Sequence, residues 1–232
     1  METSWPIDAL TLLANSFLRQ GGLFITGTDT AVGKTYLGCL LARELTLAGH
    51  RVGVMKPAES GANNDAELLR SASGSRAAMT EIRPYHFKAA LAPGLAAELE
   101  KKTLKLSKIA SAYKKLQKGQ DGVLVEGAGG LMVPLAGEAL VADLASQLGL
   151  PLLIVARPGL GTINHSLLTL AEARRRGLKV AALVLNGKFK ASDASVGGNA
   201  RAIACFGKVP VIGPLAWGAK TLGKAPLLMP PR

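Results

Sequence analysis

Short, nearly continuous apolar runs alternate along the chain with longer stretches in which apolar residues recur every three or four positions. The runs are typical of strands buried on both faces of a parallel sheet, and the periodic stretches are typical of helices. The predicted strands are Leu23–Thr26, Arg51–Lys56, Val123–Glu126, Leu152–Ala156, Val180–Leu185 and Val209–Ile212. Because the alternation runs through all 232 residues, we predict one α/β domain, a doubly wound and mostly parallel sheet flanked by helices.

The segment before the first strand predicts a short amphipathic helix. Its apolar residues recur at helical spacing: Ile7, Leu10, Leu13, Ala14 and Phe17. The segment lacks a basic leader region, which argues against a signal peptide. We therefore divide the chain into an N-terminal amphipathic extension, residues 1–21, and a single domain, residues 22–232. We expect the extension to serve packing only, so that its removal leaves activity largely intact.

The residues Gly27-Thr-Asp-Thr-Ala-Val-Gly-Lys-Thr35 connect the first predicted strand to a predicted helix. A loop ending in Gly-Lys-Thr is typical of phosphate-binding loops, in which backbone N–H groups and a helix N-terminus surround an anion. Lys34 would then contact the β- and γ-phosphates of a nucleoside triphosphate, and the Thr35 hydroxyl would bind Mg²⁺. The spacing departs from the common pattern, because Gly27 stands one residue early and Thr28 takes the usual glycine position. The alternative is an ordinary glycine-rich turn before a helix.

Polar residues also follow several other predicted strands, where ligands collect in a doubly wound sheet. Glu126 ends one strand and could bind the same Mg²⁺, the alternative being a solvated strand end. Asp65 could supply a second carboxylate or could cap the helix that follows it. Lys56 closes a buried strand, where an ammonium group requires an anion unless it is exposed. The segment Gly161–Asn164 predicts a helix start, which would bind an anion or be capped by Thr162.

Charge and cysteine content narrow the classes of partner. The chain carries 28 Lys and Arg against 16 Asp and Glu, a net charge of +12. Much of that charge lies on the wet face of one predicted amphipathic helix and in the residues just before it: Lys101, Lys102, Lys105, Lys108, Lys114, Lys115 and Lys118. Aromatic residues make up only 4% of the chain and do not interleave with the basic ones, so we favour a solvated face over a nucleic-acid surface. Apolar stretches long enough for a membrane span are absent, and Cys39 and Cys205 lack metal or redox spacing, so we expect a cytoplasmic protein.

Several motifs occur together in one order along the chain. They are Gly-Thr-Asp-Thr-x-Val-Gly-Lys-Thr (27–35), Lys-Pro-x-x-Ser-Gly (56–61), Asn-Asp (64–65), Pro-Tyr-x-Phe (84–87), Val-Glu-Gly-Ala-Gly-Gly (125–130) and Gly-x-Ile-Asn-His (161–165). Together they resemble the dethiobiotin synthetases, a family of ATP-dependent carboxylases with the phosphate-loop NTPase fold. The resemblance covers about residues 22 to 217, so residues 22–232 would form a phosphate-loop synthetase domain.

The resemblance implies a homodimeric enzyme that acts in biotin biosynthesis with ATP and Mg²⁺. Its substrates would be 7,8-diaminopelargonic acid and CO₂, and its product dethiobiotin. One substrate amine captures CO₂ as a carbamate, which attacks the γ-phosphate to give a carbamic-phosphoric anhydride, and the second amine closes the ring. The resemblance implies neither nucleic acid nor membrane as a partner.

The resemblance also assigns roles by position. The implied catalytic residues are Thr30, Lys34 and Lys56, which would stabilise the charges of the carbamate and the phosphates. The implied Mg²⁺ ligands are Thr35, Asp65 and Glu126. The implied nucleotide-binding residues are Thr28, Asp29, Thr30, Ala31, Val32, Gly33, Lys34, Thr35 and Asn186, the last at the adenine edge. The implied substrate-binding residues are Ser60, Lys56, Leu160, Gly161, Thr162 and Asn164, of which the last four would receive the substrate's carboxylate tail across the dimer interface.

The chain departs from the family pattern near the nucleotide. Ala31 replaces an acidic residue that is frequent in the family's loop, and Ala216 stands where proline commonly precedes Trp217. A switch-type ATPase of the partitioning or assembly kind is the main alternative function. It would require a second lysine near the start of the loop, where Asp29 and Thr30 stand. An amidotransferase of the cobyrinic-acid type would require a further glutaminase domain.

Overall fold

The computed structural model of the protein describes residues 7–187, 195–216 and 218–231. Its strands, in chain order, are β1 Gly22–Gly27, β2 Val52–Met55, β3 Ala58–Ser60, β4 Tyr85–Phe87, β5 Gly122–Gly130, β6 Pro134–Ala136, β7 Ala139–Leu140, β8 Leu152–Ala156, β9 Val180–Leu185, β10 Val211–Ile212 and β11 Leu227–Leu228. Its helices are α1 Ala9–Gln20, α2 Lys34–Leu47, α3 Asp65–Ser73, α4 Met79–Ile82, α5 Pro93–Leu99, α6 Leu106–Gln117, α7 Val141–Leu148, α8 Thr162–Arg175 and α9 Ser195–Gly207. Every predicted strand is present, and the bounds of β8 and β9 are those predicted.

Seven strands form one sheet in the order β11-β10-β9-β8-β1-β5-β2. Neighbouring strands run parallel, except that β11 runs antiparallel to β10. Two small sheets, β3 with β4 and β6 with β7, lie apart from it. The predicted fold class is therefore confirmed. Within the described ranges, none of the helices is long and apolar enough to cross a membrane.

Strand β1 lies in the middle of the sheet, between β5 and β8. Phe24 pairs with Val125 on one side and with Leu152 on the other, and all six residues of β1 are buried. Carboxyl ends of parallel strands meet at one edge of a sheet, so the loop that follows β1 opens between the ends of β5 and β8. The amide of Thr28 donates to the Val155 carbonyl at 2.9 Å, which holds the start of this loop against β8.

Helix α6 has the amphipathic character predicted for the lysine-rich segment. Ile109, Tyr113 and Leu116 are buried in the helix that packs against β2 and β5. Lys114 and Lys115 of the same helix are exposed. The lysine charge on this helix is thus carried by its wet face.

Helix α1 is part of the hydrophobic core. Asp8 caps its start by accepting a hydrogen bond from the Thr11 amide at 2.7 Å. Ala9, Leu13 and Phe17 are fully buried, because the helix packs against β1, β5 and β9. This burial agrees with the packing role expected of the segment, and deletion of the helix would expose apolar surface of the sheet to water. The effect of that deletion on activity stays a prediction.

We expect Phe17→Ala to lower the free energy of unfolding by about 3–5 kcal/mol, because it removes a fully buried aromatic ring from the core. Urea unfolding followed by circular dichroism measures the change. Leu18→Ala is the matched control, since Leu18 is the next residue of the same helix and is 38% exposed. The control should lose less than about 1 kcal/mol. Equal losses for the two variants would contradict the placement of Phe17 in the core.

Candidate active site

The loop between β1 and α2 has the geometry of an anion-binding turn. Helix α2 begins at Lys34, and Gly33 occupies its N-cap position with a left-handed backbone (φ 90°). A Cβ at Gly33 would lie 2.0 Å from Nδ2 of Asn186, so a side chain there would displace that amide as well as strain the left-handed backbone. A Cβ at Gly27 would lie 2.6 Å from the Asp29 carbonyl oxygen, which explains why the glycine stands at 27. Because Gly33 has no side chain to cap α2, the first amides of the helix keep their capacity to bind an anion.

Lys34 is nearly buried beneath this loop. Its side chain folds back so that Nζ donates to the Asp29 carbonyl at 3.0 Å, and the residue is 7% exposed. Burial lowers the pKa of Lys34 below its ordinary value, although the negative charges of Glu126 and Asp65 partly oppose this effect. An ammonium group with few water contacts is a strong partner for a phosphate oxygen.

A second cation, Lys56, meets two carboxylates beside Lys34. Its Nζ donates to Oδ2 of Asp65 at 2.7 Å and to Oε1 of Glu126 at 2.5 Å. The Thr35 hydroxyl donates to the same Oε1 of Glu126 at 2.9 Å. Lys56 follows β2, Asp65 begins α3, Glu126 lies on β5 and Thr35 lies in the first turn of α2. The carboxyl-end edge of the sheet thus brings together residues that are far apart in the chain.

Burial and the attraction between opposite charges act against each other on the pKa values of this cluster. Burial acts to lower the pKa of Lys56, but the charges and hydrogen bonds of Glu126 and Asp65 outweigh it and raise that pKa. Burial also raises the pKa of Glu126, whose neighbour Lys56 opposes the effect. Oε2 of Glu126 is buried and has no hydrogen-bond partner among the described residues. A buried carboxylate oxygen without a partner is costly, so a cation or donor at this point would be stabilising.

Thr35, Asp65 and Glu126 form a donor set that fits Mg²⁺. The ion prefers oxygen ligands and usually takes one or two carboxylates together with phosphate oxygens and waters. Across the described ranges, no group of three or more His, Cys, Asp or Glu side chains is arranged to hold a metal ion. Phosphate oxygens and waters would complete the coordination of an ion at this position, as is typical of phosphate-binding loops.

These side chains line a cavity of about 750 Å³ at the carboxyl ends of the strands. The predicted site residues that line it are Thr30, Ala31, Gly33, Lys34, Thr35, Lys56, Ser60, Asp65 and Glu126. Further lining residues were not predicted: Ala58, Glu59, Asn63, Ala90, Leu91, Ala92, Pro93, Ala128, Gly129 and Val133. Oγ of Ser60 is buried and has no partner among the described residues, as expected of a donor reserved for a ligand. The cavity is large enough for a nucleotide phosphate tail and a small second substrate.

The start of helix α3 corrects one alternative drawn from the sequence. Asp65 is the first residue of the helix and not its N-cap, which is Asn64. The amides of Asp65 and Ala66 donate to Oε1 of Glu59, at 2.6 and 3.3 Å. Sequence reasoning missed Glu59, because no local motif links a strand residue to a helix that begins six positions later.

The residues predicted to receive the substrate tail lie outside this cavity. Leu160, Gly161, Thr162 and Asn164 stand at the start of α8, and none of them lines it. Leu160 is 88% exposed. Thr162 is the first residue of α8 and not its N-cap, and its buried hydroxyl has no partner within the described structure. Their contact with substrate stays a prediction.

The remaining predicted nucleotide contacts belong to the loop or contact it but do not line the cavity. Nδ2 of Asn186 donates to the Val32 carbonyl at 3.0 Å. Oδ1 of Asp29 accepts from the Thr30 amide at 2.7 Å. Thr28, Asp29, Val32 and Asn186 do not line the cavity, so the adenine contact of Asn186 stays a prediction. Trp217 is outside the described residues, and the effect of Ala216 beside it is therefore untested.

A family model described as an AAA domain matches residues 21–224. The chain is also 49% identical over 187 residues to a protein named ATP-dependent dethiobiotin synthetase BioD from Anaeromyxobacter dehalogenans (strain 2CP-C), with 79% of this chain and 84% of that protein covered. The chain belongs to the dethiobiotin synthetase family. A relative of the same name from Bacillus cereus (strain B4264) is 43% identical, with 90% of this chain and 88% of the relative covered. Another, from Methanococcus vannielii, is 41% identical, with 71% of this chain and 78% of the relative covered.

Membership of the dethiobiotin synthetase family confirms the resemblance that the ordered motifs carried. It also confirms that the chain is a member of an enzyme family, as predicted. The match of the AAA model starts at residue 21, so helix α1 lies before it, although α1 shares the core of the synthetase fold.

Proposed function

We propose that the chain is an ATP-dependent cyclo-ligase that converts 7,8-diaminopelargonic acid and CO₂ to dethiobiotin, with ATP converted to ADP and phosphate. The observation that carries the proposal is the convergence of Lys34, Lys56, Asp65 and Glu126 in one cavity at the end of β1. The names of the relatives supply the product, dethiobiotin, and the dependence on ATP, while the substrates are those that the family resemblance implies.

The phosphates of the nucleotide would be bound by the loop and by Lys34. Phosphoryl transfer depends mainly on positioning and on stabilising charge, so a rigid loop and a buried ammonium suit it. Nζ of Lys34 already donates to the Asp29 carbonyl of the loop, so its charge lies close to the backbone that would surround the phosphates. Bound Mg²⁺, held by Thr35, Asp65 and Glu126, would neutralise charge on the phosphate oxygens.

Lys56 and Thr30 would act on the carbamate. Formation of a carbamate from an amine and CO₂ creates a negative charge, and its attack on the γ-phosphate moves that charge toward the phosphate oxygens. Lys56, held charged by Asp65 and Glu126, lines the same cavity as Lys34. Two ammonium groups in one cavity would stabilise the negative charge that develops on the phosphate oxygens during the transfer.

We further propose a homodimer, in which the start of α8 would meet the substrate bound by the partner subunit. This proposal rests on the family resemblance, since a single exposed leucine such as Leu160 is ordinary on a protein surface. The unpaired thiols of Cys39 and Cys205 support a cytoplasmic setting, where thiols stay reduced.

The proposed reaction is tested by mass spectrometry of the protein mixed with diaminopelargonic acid, ¹³C-labelled bicarbonate and MgATP. Relative to the substrate, we expect a product that gains one ¹³C-labelled carbonyl group from bicarbonate and loses two hydrogens. Omitting ATP should abolish it. ATP hydrolysis that does not depend on diaminopelargonic acid, with no labelled product, would contradict the proposal and favour the switch-type ATPase.

A further inference from the structure

Glu59 is a buried carboxylate at the edge of the active site to which the proposed chemistry gives no role. Its side chain has no exposed surface, although it lies on β3 only three residues after Lys56. A buried carboxylate requires hydrogen bonds or an opposite charge. Glu59 has both, and each of its two oxygens serves a different partner.

The first oxygen, Oε1, binds the start of helix α3. It accepts from the amide of Asp65 at 2.6 Å and from the amide of Ala66 at 3.3 Å. The residue at the N-cap position, Asn64, makes no side-chain hydrogen bond to the helix. Glu59 therefore performs from a separate strand the capping that a local residue usually performs, and its negative charge also suits the positive end of the helix.

The second oxygen, Oε2, binds Arg83. Nη1 of Arg83 lies 2.5 Å from Oε2, and the arginine side chain is only 14% exposed. The same Nη1 lies 3.0 Å from Glu67, which is 45% exposed at the rim. Arg83 also follows Ile82, whose carbonyl accepts from the amide of Lys56 at 2.8 Å. One arginine thus links the capping carboxylate to the segment that carries Lys56.

These contacts converge on Asp65. Its amide is held by Glu59, while its carboxylate lies 2.7 Å from Nζ of Lys56 and faces the proposed metal position with Glu126. We propose that Glu59, with Arg83, is a positioning residue that fixes Asp65 through its backbone and thereby sets the affinity of the site for the divalent cation. The inference deepens the proposed function and rests on it, because it takes Asp65 and Glu126 as the metal ligands.

The physical reason lies in how a helix start fixes a side chain. A first-turn residue whose amide is unpaired can fray, and its side chain then samples several positions. Here the amides of Asp65 and Ala66 donate to a buried carboxylate that is itself held by an arginine, which prevents this fraying. Groups that orient a metal ligand in this way typically change metal affinity by 10- to 100-fold when they are replaced.

The test measures how much Mn²⁺ strengthens the binding of a fluorescent, non-hydrolysable ATP analogue to the full chain. The quantity is the ratio of two dissociation constants, measured with EDTA and with Mn²⁺. We expect Glu59→Gln to lower this ratio by about tenfold or more, while binding with EDTA stays within about twofold of the unmodified protein. Glutamine keeps the size of the side chain but replaces one acceptor oxygen with an NH₂ donor. Its remaining oxygen can accept either from the helix amides or from Arg83, and the NH₂ group then faces the other donor. General damage to the site would weaken both measurements together.

Glu67→Gln is the matched control, because it removes the rim partner of Arg83 and leaves Glu59 in place. Its ratio should stay unchanged. If Glu59→Gln does not fold, Arg83→Met should give the same loss and Arg83→Lys should restore much of the ratio. An unchanged ratio in folded Glu59→Gln or in folded Arg83→Met overturns the inference.

Glu126→Gln separates this inference from the proposed function. A lowered ratio in Glu126→Gln with no change in Glu59→Gln would reject the role of Glu59 alone. An unchanged ratio in Glu126→Gln would reject the metal site itself, and the inference with it.

Discussion

Replacing Lys34 with alanine is expected to lower kcat by about a hundredfold to a thousandfold. Lys34 is the buried ammonium that folds back over the phosphate loop, and it lines the cavity beside Lys56. Loss of one preorganised donor to a developing negative charge costs about 3–4 kcal/mol of transition-state stabilisation. Release of ADP in the presence of diaminopelargonic acid and bicarbonate measures the effect.

Lys114→Ala is the control for this substitution. Lys114 lies on the exposed face of α6, so its removal lowers the net charge by the same amount without touching the cavity. It should keep the kcat of the unmodified protein. Turnover in Lys34→Ala above a tenth of the unmodified value would show that the loop does not bind the reacting phosphates through this side chain.

Replacing Glu126 with glutamine is expected to raise the Mg²⁺ concentration for half-maximal turnover by at least about tenfold. The change keeps the volume of the buried side chain but removes the charge that faces Thr35 and Lys56. A cation then has only one carboxylate, Asp65, in place of two. The measurement is a Mg²⁺ titration of turnover at saturating ATP, together with thermal unfolding to confirm that the variant is folded.

Asp121→Asn provides the comparison for Glu126→Gln. Asp121 is a carboxylate paired with Arg51 at 2.8 Å in the segment that leads into β5, whereas Glu126 lies further along that strand. Asp121→Asn should leave the Mg²⁺ concentration for half-maximal turnover unchanged. Equal titrations for the two variants would remove Glu126 from the set of metal ligands, whatever the absolute rates.

The sequence predicted the sheet well wherever strands are apolar runs bounded by polar or turn residues. Both bounds of β8 and β9 follow from such runs. Strand β11 was missed, because its two residues belong to a run of only three between prolines, which carries no pattern of its own. Among the described strands, β11 pairs with β10 alone. The extent to which the sheet covers Phe17 could not be predicted, since a sequence shows the apolar stripe of a helix but not the surface against which it packs.

The site could be predicted where its residues lie near the carboxyl ends of strands, since ligands bind there in a doubly wound sheet. The loop and Lys56 each follow a strand, whereas Glu126, which was predicted to end a strand, lies within β5, which continues to Gly130. The topology still brings all three into one cavity. Glu59 and Arg83 escaped prediction because their pairing joins β3 to a segment 24 residues away. Such a contact depends on how the chain folds back through helices α3 and α4, and no rule of residue spacing predicts it.

The edge strand β11 has a consequence for how copies of the protein can associate. It is only two residues long, and Pro226 and Pro230 stand close on either side of it. Proline donates no backbone hydrogen bond, and a strand this short offers almost no template for pairing. At the opposite edge, the amide of Lys56 just past β2 is already engaged by the carbonyl of Ile82. We therefore expect crowded or partly heated protein to resist edge-to-edge growth into fibres, and any stable association to use helix and loop surfaces.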